Sequence, residues 1–345
     1  MLYTLEEKIG QMIMTGFRGA ALDSTDSIAN QIKNYNLGGV WLTDKDSPMK
    51  TTIGNVKSPE QLKKLTGDLQ NFSTTPLFIA IDAEGGKIIR LKEKYGFPKT
   101  YTAKNLGMKD DPDFTYREAK KIARTLKDSG INFNFAPVLD LDMHPDSPAL
   151  GQKERCISDD PDVVIKHAEQ IIQANHDLGI FSCVKHFPGH GSTAEDSHEG
   201  FVDVSGSWSQ KELKPYKYFI DKHMNDAILT AHIFIKDYDE KNPATLSSNI
   251  ITDLLRNKIN FNGVVISDDL DMGAIRLNYT HEQAVELAIK AGVDIILNSN
   301  VVNYDEDIAI KTFNIIKKLV QEKRISEKRI DRSFSRIMTL KRKLK

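Results

Sequence analysis

Residues 181–191 read FSCVKHFPGHG, and they show a pattern that recurs along the whole chain. An apolar run ends in Lys185 and His186 and then enters a turn rich in Pro and Gly, as expected of a buried strand followed by a loop. A helical pattern over residues 161–178 precedes this run and stops at Gly179. A helix that ends at a glycine just before a strand is typical of the βα units of an α/β protein.

The alternation of apolar runs with helical stretches predicts the fold class. Eight runs are predicted strands, at residues 9–17, 37–42, 77–82, 131–139, 181–187, 227–233, 263–268 and 294–298. Predicted helices cover residues 112–129, 161–178, 282–291, about 304–322 and 327–344. This count favours an α/β fold of the (β/α)8 TIM-barrel type, with a doubly wound open sheet as the alternative. Without a linker-like segment, we expect one domain over residues 1–345, with the C-terminal helices (about 304–344) docked on it.

Composition excludes several classes of protein. The 345 residues include 47 Lys and Arg against 48 Asp and Glu, which gives a net charge of −1. That balance argues against nucleic-acid or membrane-surface partners. No signal peptide or transmembrane run is visible, and Cys156 and Cys183 cannot form a disulfide scaffold. A cytoplasmic monomer is therefore the expectation.

Ionisable side chains are concentrated where five of the predicted strands end. They are Asp82 and Glu84, then Asp140, Asp142 and His144, then Lys185 and His186, then His232, and finally Asp268 and Asp269. The C-terminal strand ends of a barrel carry its active site, so this polarity predicts an active site at one end of the barrel.

The segment 185–198, KHFPGHGSTAEDSH, has three interpretations. It is a His-rich surface loop, a zinc site built from His186, His190, Asp196 and His198, or an acid/base site. A Pro-Gly pair separates the first two histidines, and no HExxH or paired-Cys signature supports zinc. In the acid/base interpretation, Asp196 orients and charges His198, whose ordinary pKa of about 6.5 suits proton transfer at neutral pH.

Asp268 is the sharpest single candidate for chemistry. Burying an acidic side chain at the end of an apolar strand costs free energy, so an acid at this position suggests a functional role. Alternatively, Asp268 or Asp269 caps the following helix. Two adjacent acids allow one residue for each role.

The motifs at these positions resemble those of glycoside hydrolase family 3 β-N-acetylglucosaminidases, in the single-domain bacterial type that works in peptidoglycan recycling. The resemblance covers most of the chain, and KHFPGHG followed by DSH is its most specific part. It rests on LEEKIGQMIMTGF (5–17), IDAEGGKIIRL (81–91), FNFAPVLDLD (133–142), RCISDDP (155–161), KHFPGHG (185–191), DSH (196–198), LTAHI (229–233), NPATLSSNII (242–251) and GVVISDDLDMGAI (263–275).

The resemblance implies a retaining exo-β-N-acetylglucosaminidase. Its substrate would be a small saccharide or muropeptide, with N-acetylglucosamine removed from anhydro-muramyl sugars or peptides. Asp268 matches the nucleophile that forms a covalent glycosyl intermediate, and His198 with Asp196 matches the acid/base dyad. The positions that hold the terminal sugar and its acetamido group are Asp82, Arg90, Arg155, Lys185 and His186. The chemistry implies no cofactor and no metal.

The sequence departs from the family pattern at three places. Where the family has IDQEGG, this chain has IDAEGG (81–86), and where the family has RSFG, this chain has RCIS (155–158). The Leu-Pro pair that usually follows DSH in the family is replaced here by EGFV (199–202). Three alternative functions stay open: a β-N-acetylglucosaminide phosphorylase, a metal-dependent hydrolase and a catalytically silent saccharide-binding protein.

Overall fold

The computed structural model describes residues 3–44, 54–194, 200 and 202–344. Within these residues, eight parallel strands form one sheet. They are β1 (Ile13–Gly16), β2 (Gly39–Leu42), β3 (Phe78–Ile81), β4 (Phe133–Asn134), β5 (Phe181–Phe187), β6 (Ala227–Thr230), β7 (Val264–Ile266) and β8 (Ile296–Asn298). Neighbours along the chain pair from β1 through β7.

The sheet closes on itself through β8. This strand pairs in parallel with β1, where Ile13 faces Ile296 and Thr15 faces Asn298. On its other side, a parallel bridge joins Ile266 at the end of β7 to Ile295, and the backbone N–H of Ser267 donates to the Ile295 carbonyl at 3.0 Å. The predicted TIM-type barrel is therefore confirmed, and the open doubly wound sheet is wrong.

Helices follow the strands around the outside of the barrel. They are α1 (Leu5–Gln11), α2 (Ser27–Tyr35), α3 (Pro59–Asn71), α4 (Ala103–Lys109), α5 (Pro112–Asp128), α6 (Pro161–His176), α7 (Leu213–Asp221), α8 (Gly273–Arg276), α9 (His281–Ala291), α10 (Ile308–Gln321) and α11 (Glu327–Lys341), with a π-helical stretch at Asn249–Lys258. All five predicted helices are present. Asp111 and Asp160 cap α5 and α6, and each cap is followed by a proline, which lacks the N–H that a first turn leaves unpaired.

The first predicted strand, 9–17, is wrong over its first residues. Residues 9–11 belong to α1, which begins with a capping box between Thr4 and Glu7. The fourth strand is shorter than the predicted 131–139, because regular pairing ends at Asn134. Beyond it, a single parallel bridge joins Val138 to Lys185 of β5. A continuous apolar run does not by itself separate a buried helical turn from a strand.

The C-terminal helix α11 packs against the barrel and against α1. Ile330 and Ile337 of α11 are buried, and the ring of Phe334 packs edge-on against Tyr3 with 4.7 Å between centroids. Lys8 of α1 pairs with Asp331 at 2.7 Å. In the part of the chain that the structure describes, no helix combines the length and apolarity needed to cross a bilayer.

Lys341, at the end of α11, is buried at the N-terminal mouth of the barrel. Its Nζ donates to the carbonyl of Gly38, just before β2, at 2.7 Å. The same Nζ lies 4.7 Å from the centre of the Phe78 ring. Burial lowers the pKa of Lys341 well below its usual value.

Lys341→Met is expected to change how stability depends on pH. An unfolded lysine stays charged up to a pH of about 10.4, whereas the buried lysine is neutral over part of that range. Its contribution to the free energy of unfolding should therefore rise with pH, by at most about 1.4 kcal/mol per pH unit. Urea unfolding of both proteins at pH 7.5, 8.5 and 9.5 measures the difference, and parallel pH dependences would contradict the prediction.

Candidate active site

A cavity of about 360 Å³ opens at the C-terminal end of the barrel. Its lining comes from the ends of several strands and the loops after them. Among the lining residues are Trp41, Asp82, Glu84, Phe135, Arg155, Lys185, His186, Leu229 and Asp268. The predicted active-site end of the barrel is therefore the end that holds the cavity.

A short hairpin after β3 brings two predicted residues together. Residues 83–85 pair antiparallel with Ile88–Ile89, and this returns Arg90 to Asp82, where Nη2 donates to Oδ2 at 3.2 Å. Gly85 has φ +110°, and a Cβ there would lie 2.3 Å from the Tyr101 carbonyl oxygen. The turn therefore requires glycine at this position.

Lys185, at the end of β5, joins two carboxylates across the cavity. Its Nζ lies 2.7 Å from Asp82 Oδ1 and 2.7 Å from Glu84 Oε1. Arg155 donates to both oxygens of Glu84, from Nε at 2.9 Å and from Nη2 at 2.7 Å. We call Asp82, Glu84, Arg155 and Lys185 the charge network.

The network stabilises its own ionised state. Burial alone would raise the pKa of Asp82 and of Glu84, but Lys185 and Arg155 outweigh it at both residues and hold both values below their usual range. Arg90 adds to this effect at Asp82. Burial alone would lower the pKa of Lys185, but the two carboxylates raise it instead. All these groups therefore stay charged at neutral pH.

Asp140 fixes the orientation of the His186 ring. Its Nδ1 lies 2.6 Å from Asp140 Oδ2, and its Nε2 lies 3.3 Å from Arg155 Nη2. The geometry assigns the Nδ1 proton to the bond with Asp140 and leaves Nε2 as an acceptor. Burial alone would raise the pKa of Asp140, but His186 and His190 hold it at about 2.

Asp268 follows β7 and lines the cavity, half-buried. Its backbone N–H donates to Thr230 Oγ1 at 3.2 Å, and its Oδ1 accepts the N–H of Asp269 at 2.8 Å. Asp269 is buried and accepts the N–H of Ser299, after β8, at 2.9 Å. Burial raises the pKa of Asp269 to about 6. Neither residue caps α8, whose N-cap is Met272, so the capping interpretation is wrong.

Other predicted residues support the site from outside the cavity. His232 is fully buried, with Nδ1 2.8 Å from Thr245 Oγ1 and Nε2 2.9 Å from the Asp269 carbonyl, so it holds the loop after β7. Asp142 pairs with Lys104 at 3.1 Å.

The predicted acid/base pair, Asp196 and His198, lies outside the described residues. Two members of the hypothetical zinc site are described, and the rings of His186 and His190 lie 5.8 Å apart. Among residues 3–44, 54–194, 200 and 202–344, no group of three or more potential metal ligands is present.

Two residues that sequence reasoning left without a role, Glu84 and Asp140, are central to the geometry. Glu84 binds Arg155 and Lys185 in the charge network, and Asp140 orients His186. Both lie at predicted strand ends, and that position was the available signal. Their partners are far away in sequence, so the pairing itself had no local signature.

The arrangement suits a ligand rich in hydroxyl groups. Carboxylate oxygens with spare lone pairs and charge-assisted N–H donors line one cavity. Asp268 faces the same cavity with a carboxylate that can act as nucleophile or base.

Comparisons with known proteins agree with this geometry. The model of the glycosyl hydrolase family 3 N-terminal domain matches residues 4–340. A β-hexosaminidase of Nitrosomonas eutropha is 33% identical over 84% of this chain and 80% of its own length. β-Hexosaminidase A of Pseudoalteromonas piscicida is 30% identical over 99% of this chain.

A solved structure, a glycoside hydrolase family 3 β-N-acetylglucosaminidase from Paenibacillus sp. str. FPU-7, superposes with a TM-score of 0.89. It is 34% identical and covers 99% of this chain. This chain spans 63% of that protein and 61% of the Pseudoalteromonas relative.

Glu84→Gln is expected to destabilise the fold by about 3 kcal/mol, because it leaves Arg155 and Lys185 buried with one carboxylate fewer. The difference in the free energy of unfolding between the variant and the parent protein should have its full size above a pH of about 5. It should shrink as pH falls through the depressed pKa of Glu84, since the stabilising charge is then lost in the parent protein. Urea unfolding between pH 3 and 8 measures both effects.

Glu154→Gln is the matched control. Glu154 pairs with Lys87 at 2.7 Å on the surface, so its loss should cost about 0–1 kcal/mol. Equal effects of the two substitutions would show that the buried network adds nothing beyond a surface pair.

Proposed function

The chain belongs to glycosyl hydrolase family 3, and on that premise we propose that it is a retaining exo-β-N-acetylglucosaminidase. It removes N-acetylglucosamine from the non-reducing end of a saccharide. The observation that best supports this proposal is that Asp268 faces the same cavity as the charge network, at the C-terminal end of the barrel.

Asp268 is the nucleophile in this proposal. Its carboxylate attacks the anomeric carbon and displaces the aglycone oxygen, which forms a glycosyl ester. Water then attacks the ester, and the sugar is released with its original anomeric configuration. The hydrogen bond from the Asp269 N–H to Oδ1 of Asp268 supports this role, because it fixes the carboxylate relative to the cavity.

His198, with Asp196, is the proposed acid/base group, and this assignment rests on the sequence. The imidazolium protonates the leaving oxygen, and the neutral imidazole later accepts a proton from water. Asp196 stabilises the imidazolium and fixes its tautomer.

The charge network supports recognition of the terminal sugar. Asp82 and Glu84 retain lone pairs for sugar hydroxyls although they accept from Lys185 and Arg155. We place the acetamido group of the sugar against His186 and Arg155, which line the cavity together. Arg90 lines the cavity beside Asp82, with its guanidinium 5.5 Å from the centre of the Trp41 ring. We place the non-reducing end of the sugar against Asp82, so that the enzyme removes one sugar at a time.

The proposed natural substrates are peptidoglycan fragments in which N-acetylglucosamine is linked to an anhydro-muramyl sugar or peptide. This choice rests on the resemblance of the KHFPGHG and DSH motifs. The N-acetylglucosaminidase activity is independent of it.

We expect release of the chromophore from an aryl β-N-acetylglucosaminide at a rate at least about 100-fold above that from the matching β-glucoside, since the site would otherwise leave buried polar groups unpaired. The rate should be independent of added phosphate. A rate that rises with phosphate would identify a phosphorylase, and release from neither glycoside would favour the silent binding protein.

Asp268→Asn should lower kcat by about 10⁴-fold or more, as expected for removal of a nucleophile. Asp271→Asn is the matched control, because Asp271 lines the same cavity and accepts the Asn303 N–H at 2.9 Å. It should cost less than about 10-fold. Similar losses in both variants, or near-normal turnover by Asp268→Asn, would contradict the assignment.

A further inference from the structure

Glu212 is a fully buried carboxylate that does not line the cavity. It ends the short 3-10 turn Gln210–Glu212 and leads into α7. Burial raises its pKa to about 7, so the chain retains a costly group here. A buried acid that the proposed chemistry does not use requires its own explanation.

The carboxylate of Glu212 binds the turn directly after β5. Its Oε2 accepts the backbone N–H of Gly191 at 2.8 Å. Its Oε1 accepts the N–H of Ser192 at 3.2 Å and also the Ser192 hydroxyl. One side chain therefore fixes two consecutive peptide units.

Asp140 binds the same turn from the other side. Its Oδ1 accepts the N–H of His186 at 3.1 Å and that of His190 at 2.8 Å. The amides of residues 190, 191 and 192 thus bind two buried carboxylates that come from different elements. We call Asp140 and Glu212 the carboxylate clamp.

The backbone of the clamped turn lies too close to its neighbours for ordinary side chains. Gly189 has φ +119°, and a Cβ there would lie 2.4 Å from the Glu212 Cβ. A Cβ on Gly191 would lie 2.0 Å from the Leu141 carbonyl oxygen. Because the backbone packs this closely against Glu212 on one side and Leu141 on the other, the turn is restricted to one position.

We infer that Glu212 is a positioning residue that fixes, through Gly191 and Ser192, the turn from which the chain continues to Asp196 and His198. This inference rests on the proposed function, in which His198 is the acid/base group. Glu212 acts on proton transfer by His198 and not on sugar binding, because its contacts are with the turn and not with the cavity.

Glu212→Gln tests this role with two N-acetylglucosaminides, one with a dinitrophenyl and one with a phenyl leaving group. The amide keeps the size of Glu212 but turns an N–H toward Gly191 or Ser192. Misplacement of a general acid affects poor leaving groups most, so we expect kcat/KM for the phenyl substrate, which reports formation of the glycosyl ester, to fall about 30-fold. For the dinitrophenyl substrate, whose leaving group needs little protonation, kcat/KM should change less than about 3-fold.

Glu169→Gln is the matched control, because Glu169 accepts from Tyr218 of α7 at 3.1 Å, away from the clamped turn. It should leave the ratio of the two rates unchanged. Equal losses on both substrates in Glu212→Gln, or no loss on either, would overturn the positioning role. If Glu212→Gln does not fold, Ser192→Ala removes one of the three contacts and should shift the ratio in the same direction by about 3-fold.

Amide hydrogen exchange separates failure of this inference from failure of the proposed function. A parent protein that hydrolyses neither substrate would refute the function. The Gly191 and Ser192 amides should still exchange slowly in the parent protein and at least about tenfold faster in Glu212→Gln. Unchanged exchange at these amides would overturn the clamp itself.

Discussion

The structure depends on the buried ion pairs between Lys185 and its two carboxylates, Asp82 and Glu84. An ion removed from water loses several kcal/mol of solvation, and that loss is recovered only by close, well-oriented partners. Arg155 completes the pairing through its two-point contact with Glu84. The same bonds tie β3 and β5 to a loop after β4, so the walls of the cavity are fixed before any ligand binds.

Two further buried carboxylates, Glu212 and Asp269, have a different task. Glu212 and Asp269 accept backbone N–H groups from the turns after β5 and β8. Burial raises the pKa of both residues, whereas cations lower that of Asp82 and Glu84. Asp82 and Glu84 are thus kept ionised by cations, whereas Glu212 and Asp269 bind peptide N–H groups of the loops.

Sequence periodicity predicted the barrel because each strand is a short apolar run bounded by turn residues. It failed at residues 9–11, where one apolar run joins the end of α1 to β1. It also placed Asp82, Lys185 and Asp268 at one end of the barrel, because all three lie at the ends of apolar runs, and in the structure they line one cavity there. Asp196 and His198 were predicted from motif and spacing alone.

The sequence by itself determined the order of strands and helices, the end of the barrel that carries polar groups, and family membership through motifs such as KHFPGHG. Only the tertiary structure decided which charges are partners. Lys185 and Asp82 are 103 residues apart, and Arg155 and Glu84 are 71 apart. The spacing of apolar residues along the chain indicates which face of a strand is buried. The choice of ion-pair partners depends instead on how the closed sheet brings distant strand ends together. For that reason the roles of Glu84, Asp140 and Glu212 emerged only from the fold.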